Sequence, residues 1–359
     1  SRRRPGSAAG RLNPPADPAT LRTNVRPMTT LLAGDIGGTK TLLALYSLEG
    51  GRLIQGRSER FVSADWDDFA ALVNHFLAAG PTGEPRPAHA CLAVAGPVRG
   101  GRVKLTNLPW LLQEHELAAA CSLERLELVN DFAVLIYGLP HLEPHQQAPL
   151  RAATMRDPQA PVAILGAGTG LGVALGVPTA AGLVAVASEA SHAEFAPRTE
   201  DEWALKRWLM ADLGLQRLSI ERVVSGTGLG EVMRWQLAVH PDGKDHPLAH
   251  LDGNDLPAAT AGAAASGDPL ARAALDLWLG AYGSTSGDLA LQSLCLGGLW
   301  VGGGTAGKLL DELRSPAFLE PFLAKGRLSP VVEQIPLMAL TDPEAGLFSA
   351  ACRARMLLG

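Results

Sequence analysis

From Thr30 onward, short apolar runs alternate with glycine-bearing turns and longer amphipathic stretches. Leu31–Ile36 and Thr41–Ser47 read as strands joined by the tight turn Gly37-Gly38-Thr39-Lys40. Trp66–Ala79 has helical spacing, with Asp65 as its expected N-cap. Cys91–Ala95 and Leu126–Val129 are further apolar strands, and Val162–Leu165 and Val173–Val177 flank a glycine cluster. Thr199-Glu200-Asp201-Glu202 is a capping box opening a helix through about Leu213. Asp268 to about Leu294 is largely helical. Leu299–Val301 is a strand running into Gly302-Gly303-Gly304, and Ile335–Leu340 is a last strand before a helix from about Glu344.

Strands alternate with helices, but the hairpin-like units exclude a purely parallel sheet. The class is α/β with mixed sheets in two lobes. The strand–glycine-turn–strand units at Asp35–Thr39 and Gly166–Gly172 echo one another, as two similar lobes facing across a cleft would. The expected division is a small domain over 28–140, completed by 344–359, and a large domain over 141–343. Residues 1–27 carry Arg2, Arg3, Arg4, Arg11, Arg22 and Arg26 with one acid, Asp17, and little apolar pattern. They read as a disordered arm, with an organellar transit peptide as the alternative.

Composition narrows the function. With 47% hydrophobic and 19% charged residues among 359, the chain has ample material for a core. A net charge of −5 argues against a nucleic-acid or anionic-membrane partner. Pro158 to Ser188 lacks any charge and is long enough for a bilayer, yet six glycines and Pro178 make it core sheet instead. Cys91, Cys121, Cys295 and Cys352 are scattered, which points to reduced thiols in a cytoplasmic protein without a zinc site.

The glycine turns suggest phosphate binding. In Gly34-Asp35-Ile36-Gly37-Gly38-Thr39 the backbone can approach a polyanion, and Asp35 makes sense beside phosphates if Mg²⁺ or its water lies between; an ordinary hairpin is the bland alternative. Gly166-Ala167-Gly168-Thr169-Gly170-Leu171-Gly172 misses the dinucleotide fingerprint, since Leu171 and Val173 stand where a last glycine is needed. Gly302-Gly303-Gly304-Thr305-Ala306-Gly307-Lys308 misses a Walker A loop by one residue, Leu309 replacing the hydroxyl that holds Mg²⁺. Gly226-Thr227-Gly228-Leu229-Gly230 reads as a break between helices, with no ligand assigned.

Asn130-Asp131 follows a strand, and Asp131 is either a base in a cleft or the cap of the next helix. Glu189 and His192, at helical i,i+3 spacing, suit a polyol site better than a metal. Glu221 reads as a solvated helix start, and Thr106-Asn107-Leu108-Pro109-Trp110 as a loop suited to a sugar ring or an ordinary proline turn.

Taken in order, GDIGGTK (34–40), AGPV (95–98), LTNLPW (105–110), LELVNDF (126–132), GAGTGLGVA (166–174), SEASHAEFAP (188–197), ERVVSGTGL (221–229) and VGGGT (301–305) resemble the bacterial-type glucokinase family. The resemblance covers roughly 30–359 and lacks the cysteine-rich motif of ROK sugar kinases. It implies a two-lobed actin-like ATPase (ribonuclease H-like) fold and an ATP:hexose 6-phosphotransferase that phosphorylates glucose at the entry to glycolysis. It implies Asp131 as general base and Asn107, Asn130, Asp131, Glu189, His192 and Glu221 around the hexose. Asp35, Gly37, Gly38 and Thr39 would form one phosphate loop, Gly166, Gly168, Thr169 and Gly170 the other, and Gly302, Gly303 and Gly304 would lie near adenosine. Mg²⁺ would arrive with ATP rather than on a protein-only site. A homodimer, another hexose, or a sugar-responsive regulator on the same fold stays open. One departure stands out: Ser188-Glu189-Ala190-Ser191-His192 replaces a more usual Gly-Glu-Gly-Gly-His.

Overall fold

The structure, a computed structural model, describes residues 29–105, 108–152, 155–251 and 253–359. The arm at 1–27 and Asn107 lie outside the described residues.

The first sheet is built from β1 (Thr30–Ile36), β2 (Lys40–Glu49), β3 (Arg52–Val62) and β4 (His89–Val94). A small hairpin, β5 (Arg102–Lys104) with β6 (Leu111–Gln113), precedes its last strand, β7 (Arg125–Asn130). The second sheet comprises β8 (Gln147–Pro149), β9 (Val162–Ala167), β10 (Leu171–Thr179), β11 (Gly182–Ser188), β12 (Gly298–Gly302) and β13 (Leu337–Leu340). Strand orders are β3-β2-β1-β4-β7 and β11-β10-β9-β12-β13-β8. In each, an antiparallel three-strand meander continues into parallel strands: β1 with β4 and β7, β9 with β12 and β13. The echo between the two glycine turns is therefore an echo between two sheets that share a five-strand arrangement, the second adding β8 antiparallel to β13 at its edge. This is the two-lobed actin-like architecture.

The helices are α1 (Phe69–Ala78), α2 (Glu114–Ala120), α3 (Leu135–Gly138), α4 (Glu200–Asp212), α5 (Gly226–Val239), α6 (Leu256–Ala265), α7 (Pro269–Ser293), α8 (Leu310–Leu313), α9 (Pro316–Leu323), α10 (Ser329–Val332) and α11 (Ala345–Met356). Strand β1 is buried on both faces, which explains its unbroken apolar run. Leu32 and Ile36 pack with Phe69, Leu72 and Phe76 of α1. Leu31 and Ala33 face the other way, into a core shared with α3, α11 and Trp300. Side-chain alternation places Asp35 in that second row, at the end of the strand. A third core surrounds α7, with Trp278 and Tyr282 fully buried. Trp278 donates its indole N–H to the Ser225 carbonyl at 2.9 Å.

Helix α3 joins the lobes, packing against α11 on one side and β9–β11 on the other. The crossing is tight: a Cβ on Gly138 would lie 2.1 Å from Ser349 Oγ.

Two local expectations change. Helix α1 starts at Phe69 with Asp68 as its cap, accepting from Ala70 N–H at 2.9 Å. Asp65 instead ends a 3₁₀ turn, because Ser63 is drawn to the first glycine loop and the chain must turn before the helix begins. The box at Thr199–Glu202 is half-formed. Thr199 accepts from Glu202 N–H at 3.2 Å, but Glu202 reaches past the cap to Arg198 N–H at 2.6 Å and pairs with the Arg198 guanidinium. The Glu202 side chain is only 2% exposed. Breaking a buried pair strands the partner's charge, so Glu202→Ala should cost about 3 kcal/mol, the lower end for such pairs because Arg198 keeps some water. Chemical denaturation checks this; a loss below about 1 kcal/mol, the worth of an exposed pair, would contradict it.

Candidate active site

The Asn130-Asp131 step sits where β7 ends at the mouth of a cleft of about 510 Å³ between the sheets. Asn130, not Asp131, caps the turn that follows. Its Oδ1 accepts from the N–H groups of Phe132 at 3.1 Å and Ala133 at 3.0 Å. Its Nδ2 donates to the Gly96 carbonyl at 3.2 Å and to Asp131 Oδ1 at 2.9 Å. The capping demand met by Asn130 leaves the Asp131 carboxylate facing the cleft. Burial holds that carboxyl above its ordinary range, while the N–H groups of Phe132 and Asp131 and the Asn130 amide pull it partly back.

Asp35 is also pushed up, first by burial and then by the Asp131 charge, with Arg60 opposing. Arg60, Leu42 and Asp35 are directly paired across β3, β2 and β1, so they share one sheet face. The Gly37–Thr39 loop beside Asp35 is pinned from outside. Ser63 Oγ donates to the Gly37 carbonyl at 3.2 Å and lies 3.0 Å from buried Thr41 Oγ1, and Ser63 N–H donates to the Thr39 carbonyl.

Across the cleft, Glu189 lines the wall. The i,i+3 spacing of Glu189 and His192 would put both on one face of a helix. They flank a 3₁₀ turn over Ala190–His192, which still brings His192 Nε2 within 3.6 Å of Glu189 Oε2. Glu221 is not simply solvated: its Oε2 accepts from Leu171 N–H at 2.9 Å, beside Gly170, where a Cβ would come within 2.5 Å of it.

The β9–β10 turn divides two spaces. Leu171 and Gly172 face the cleft; Gly168 and Thr169 line a second pocket of about 410 Å³. Gly226, assigned no ligand from sequence, donates its N–H to the Gly168 carbonyl at 2.7 Å, and Thr227 Oγ1 donates to the Thr169 carbonyl at 2.9 Å. Both line that pocket, at the start of a helix capped by Ser225. The signal was the Ser-Gly-Thr-Gly run itself, a cap followed by glycines, which exposes helix N–H groups. Of Gly302–Gly304, Gly304 alone lines the pocket, beside Thr305 and Lys308. Gly302 is strand, and Gly303, at φ +83°, lets the chain press against Ala167, whose carbonyl also accepts from Thr305 Oγ1 at 2.8 Å.

Gly166 serves packing: a Cβ there would lie 2.8 Å from the Gly302 backbone and 2.9 Å from Phe132. Among the described residues no group of three or more His, Cys, Asp and Glu is placed to hold a metal, and no helix is long and apolar enough to cross a membrane.

The protein-family profile for Glucokinase matches residues 32–357. The chain belongs to the glucokinase family. The glucokinase of Nostoc punctiforme is 37% identical over 344 residues, covering 92% of this chain and all of that protein. The crystal structure of glucokinase from an Antarctic psychrotroph superposes with a TM-score of 0.81 at 32% identity, over 91% of this chain and 98% of the other. The glucokinase of Balamuthia mandrillaris, solved with glucose, shares the fold at 22% identity and a TM-score of 0.69, over 93% of this chain and 95% of that one. The glucokinase profile and these relatives agree with the absence of the ROK cysteine motif.

Phe132, next to Asp131, packs on Gly172 so closely that a Cβ would fall 2.4 Å from its ring. Gly172→Ala should therefore displace Phe132 and lower turnover about 10–100-fold, since small misplacements of reacting groups are costly. Steady-state kinetics beside a melting curve test this. Unchanged turnover in a folded variant would contradict it.

Proposed function

We infer that the protein transfers the γ-phosphoryl group of ATP to the 6-hydroxyl of D-glucose, with Asp131 as general base. The observation that carries this reading is the division of labour at the end of β7. Asn130 does the capping, and Asp131 keeps a cleft-facing carboxylate raised towards the pH at which a base works.

Asn130, Glu189, His192 and Glu221 supply the donors and acceptors that a neutral polyol requires, with Asn107 assigned from the family pattern. Glucose held between them presents its 6-hydroxyl to Asp131. The carboxylate takes the proton as the oxygen attacks phosphorus in line and the bond to the ADP oxygen breaks. ATP lies along the far side of the β9–β10 turn: adenosine against Gly226, Thr227 and Gly304, the phosphates reaching Gly168–Gly170 and, from the other lobe, Gly37–Thr39. Lys308 adds a cation at the pocket's edge.

Among the described residues the carboxylates do not make a protein-only metal site, but Asp35, which burial and the like charge of Asp131 push up, would be suited by a Mg²⁺ carried in on the phosphates. That ion would neutralise charge on the phosphates. Closure of the lobes about α3 keeps water from the γ-phosphate. The small domain is assigned to 28–140 with 344–359 and the large to 141–343, supported by α11 packing on β1 and β4. Four buried free thiols support a reducing, cytoplasmic setting.

The test is ADP release from Mg-ATP across a panel of hexoses. Glucose should give strong turnover and its absence little, and Asp131→Ala should lower kcat by about 10²–10⁴-fold. Turnover with a different hexose alone would move the substrate; an active Asp131→Ala would remove the base.

A further inference from the structure

Glu189 and His192 stand on one segment, Glu221 on another, and a sugar site needs the two held in register. A short β-bridge joins them. Glu194 pairs with Ser219, Phe195 N–H donates to the Leu218 carbonyl at 2.8 Å, and Ile220 N–H to the Ala193 carbonyl at 2.9 Å. Phe195 and Leu218 anchor the two strands of the bridge in the core, but the segment also backs onto a cavity of about 250 Å³ lined by Ser191, Phe195, Ile220, Thr285 and Gln292. Ser191 lines both this cavity and the cleft. Ordinary interiors fill such space and fix what they touch. Beside this cavity, polar ties supplement the bridge in fixing the loop.

Arg217 lies on the Glu221 side of the bridge and reaches across it. Its Nη2 donates to the His192 carbonyl at 2.6 Å, and its Nε lies 3.3 Å from Glu194 Oε2. Lys206 of α4 completes the clamp, donating to Glu194 Oε1 at 2.6 Å and to the Phe195 carbonyl at 2.9 Å. Lys206 first, and Arg217 with it, hold the Glu194 carboxyl below its usual range.

We propose that Arg217, braced by Glu194, is the positioning residue that sets the register between the Glu189/His192 turn and Glu221, and thereby the affinity for the hexose. The proposal rests on the glucokinase reading above. The clamp touches main chain rather than sugar, and Arg217 and Glu194 are half-exposed while Lys206 is largely buried, so losing the Arg217 arm matters little to global stability. The two glycines expected at 190 and 191 are Ala190 and Ser191, which makes the turn stiffer and its placement by the clamp more decisive.

The experiment measures kcat, KM for glucose, KM for ATP and melting temperature for Arg217→Ala, Arg217→Lys and Glu194→Gln. Arg217→Ala should raise the glucose KM about tenfold, the worth of one well-placed hydrogen bond with a charged partner, leaving kcat and the ATP KM within about threefold. Lysine should recover part of the loss, since it can donate to the carbonyl or pair with Glu194 but cannot fork to both. Because glucose is neutral, salt acts on its KM through the protein's own ion pairs. The wild-type glucose KM should rise towards about 0.5 M salt, and that of Arg217→Ala should not. An Arg217→Ala enzyme with a wild-type glucose KM overturns the proposal, as does one whose kcat and both KM values worsen together with its melting temperature. Should that variant fail to fold, an unchanged glucose KM in Glu194→Gln together with a salt-independent wild type overturns it equally. Absence of wild-type turnover on glucose would instead count against the function itself.

Discussion

Two backbone N–H groups at the start of the turn after β7 need an acceptor, and the residue that supplies it decides the chemistry of the cleft. Asn130 takes Phe132 and Ala133. With that demand met, Asp131 is spared the cap, and its carboxylate, steadied by the Asn130 amide, turns to the cleft. Phe132, fixed by the same turn, seats on Gly166 and Gly172 of the opposite sheet. One capped turn thus sets the Asp131 carboxylate, fills the gap between lobes, and ties that carboxylate to the β9–β10 hairpin. Burial and then the Asp131 charge push the Asp35 carboxyl up, so the two acids feel one another across the same cleft.

The glycine turns share a logic. At Gly303 a positive φ lets strand β12 run into the Ala167 backbone. Thr305 and Tyr282 then satisfy the Ala167 carbonyl and N–H, at 2.8 and 3.2 Å, so the base of the turn is held. Thr227 and Glu221 hold its tip from two sides. These ties fix the turn, and a fixed turn is what the proposed phosphate contacts would require of it.

Much of this was legible in the sequence. Strands β1, β2, β9 and β12 announce themselves through unbroken apolar runs, and the repeated strand–turn–strand unit foretold two like sheets. Strands β3 and β11 did not. Both are edge strands with mostly exposed side chains, and Arg52, Arg57, Glu59 and Arg60 erase the alternation in β3. The site was legible where chemistry is carried by rare pairs, as at Asn130-Asp131, and illegible where it depends on which neighbour caps. Either residue of that pair could have served as the cap; only the fold chooses. Thr227, Lys308, Ser63 and Arg217 were missed for a related reason. Each acts through contacts with residues distant in sequence, or by facing a pocket formed from several segments, and no local spacing records that.

The most direct test of this account is the pH dependence of kcat/KM for glucose. A base must be ionised, so activity falls as pH drops through its pKa. A carboxyl raised by burial places that acid limb above the ordinary aspartate value of about 4. The account predicts such a raised limb in the wild type, and its disappearance from the residual activity of Asp131→Asn. A wild-type limb at the ordinary aspartate value, or the same limb persisting in Asp131→Asn, would contradict it.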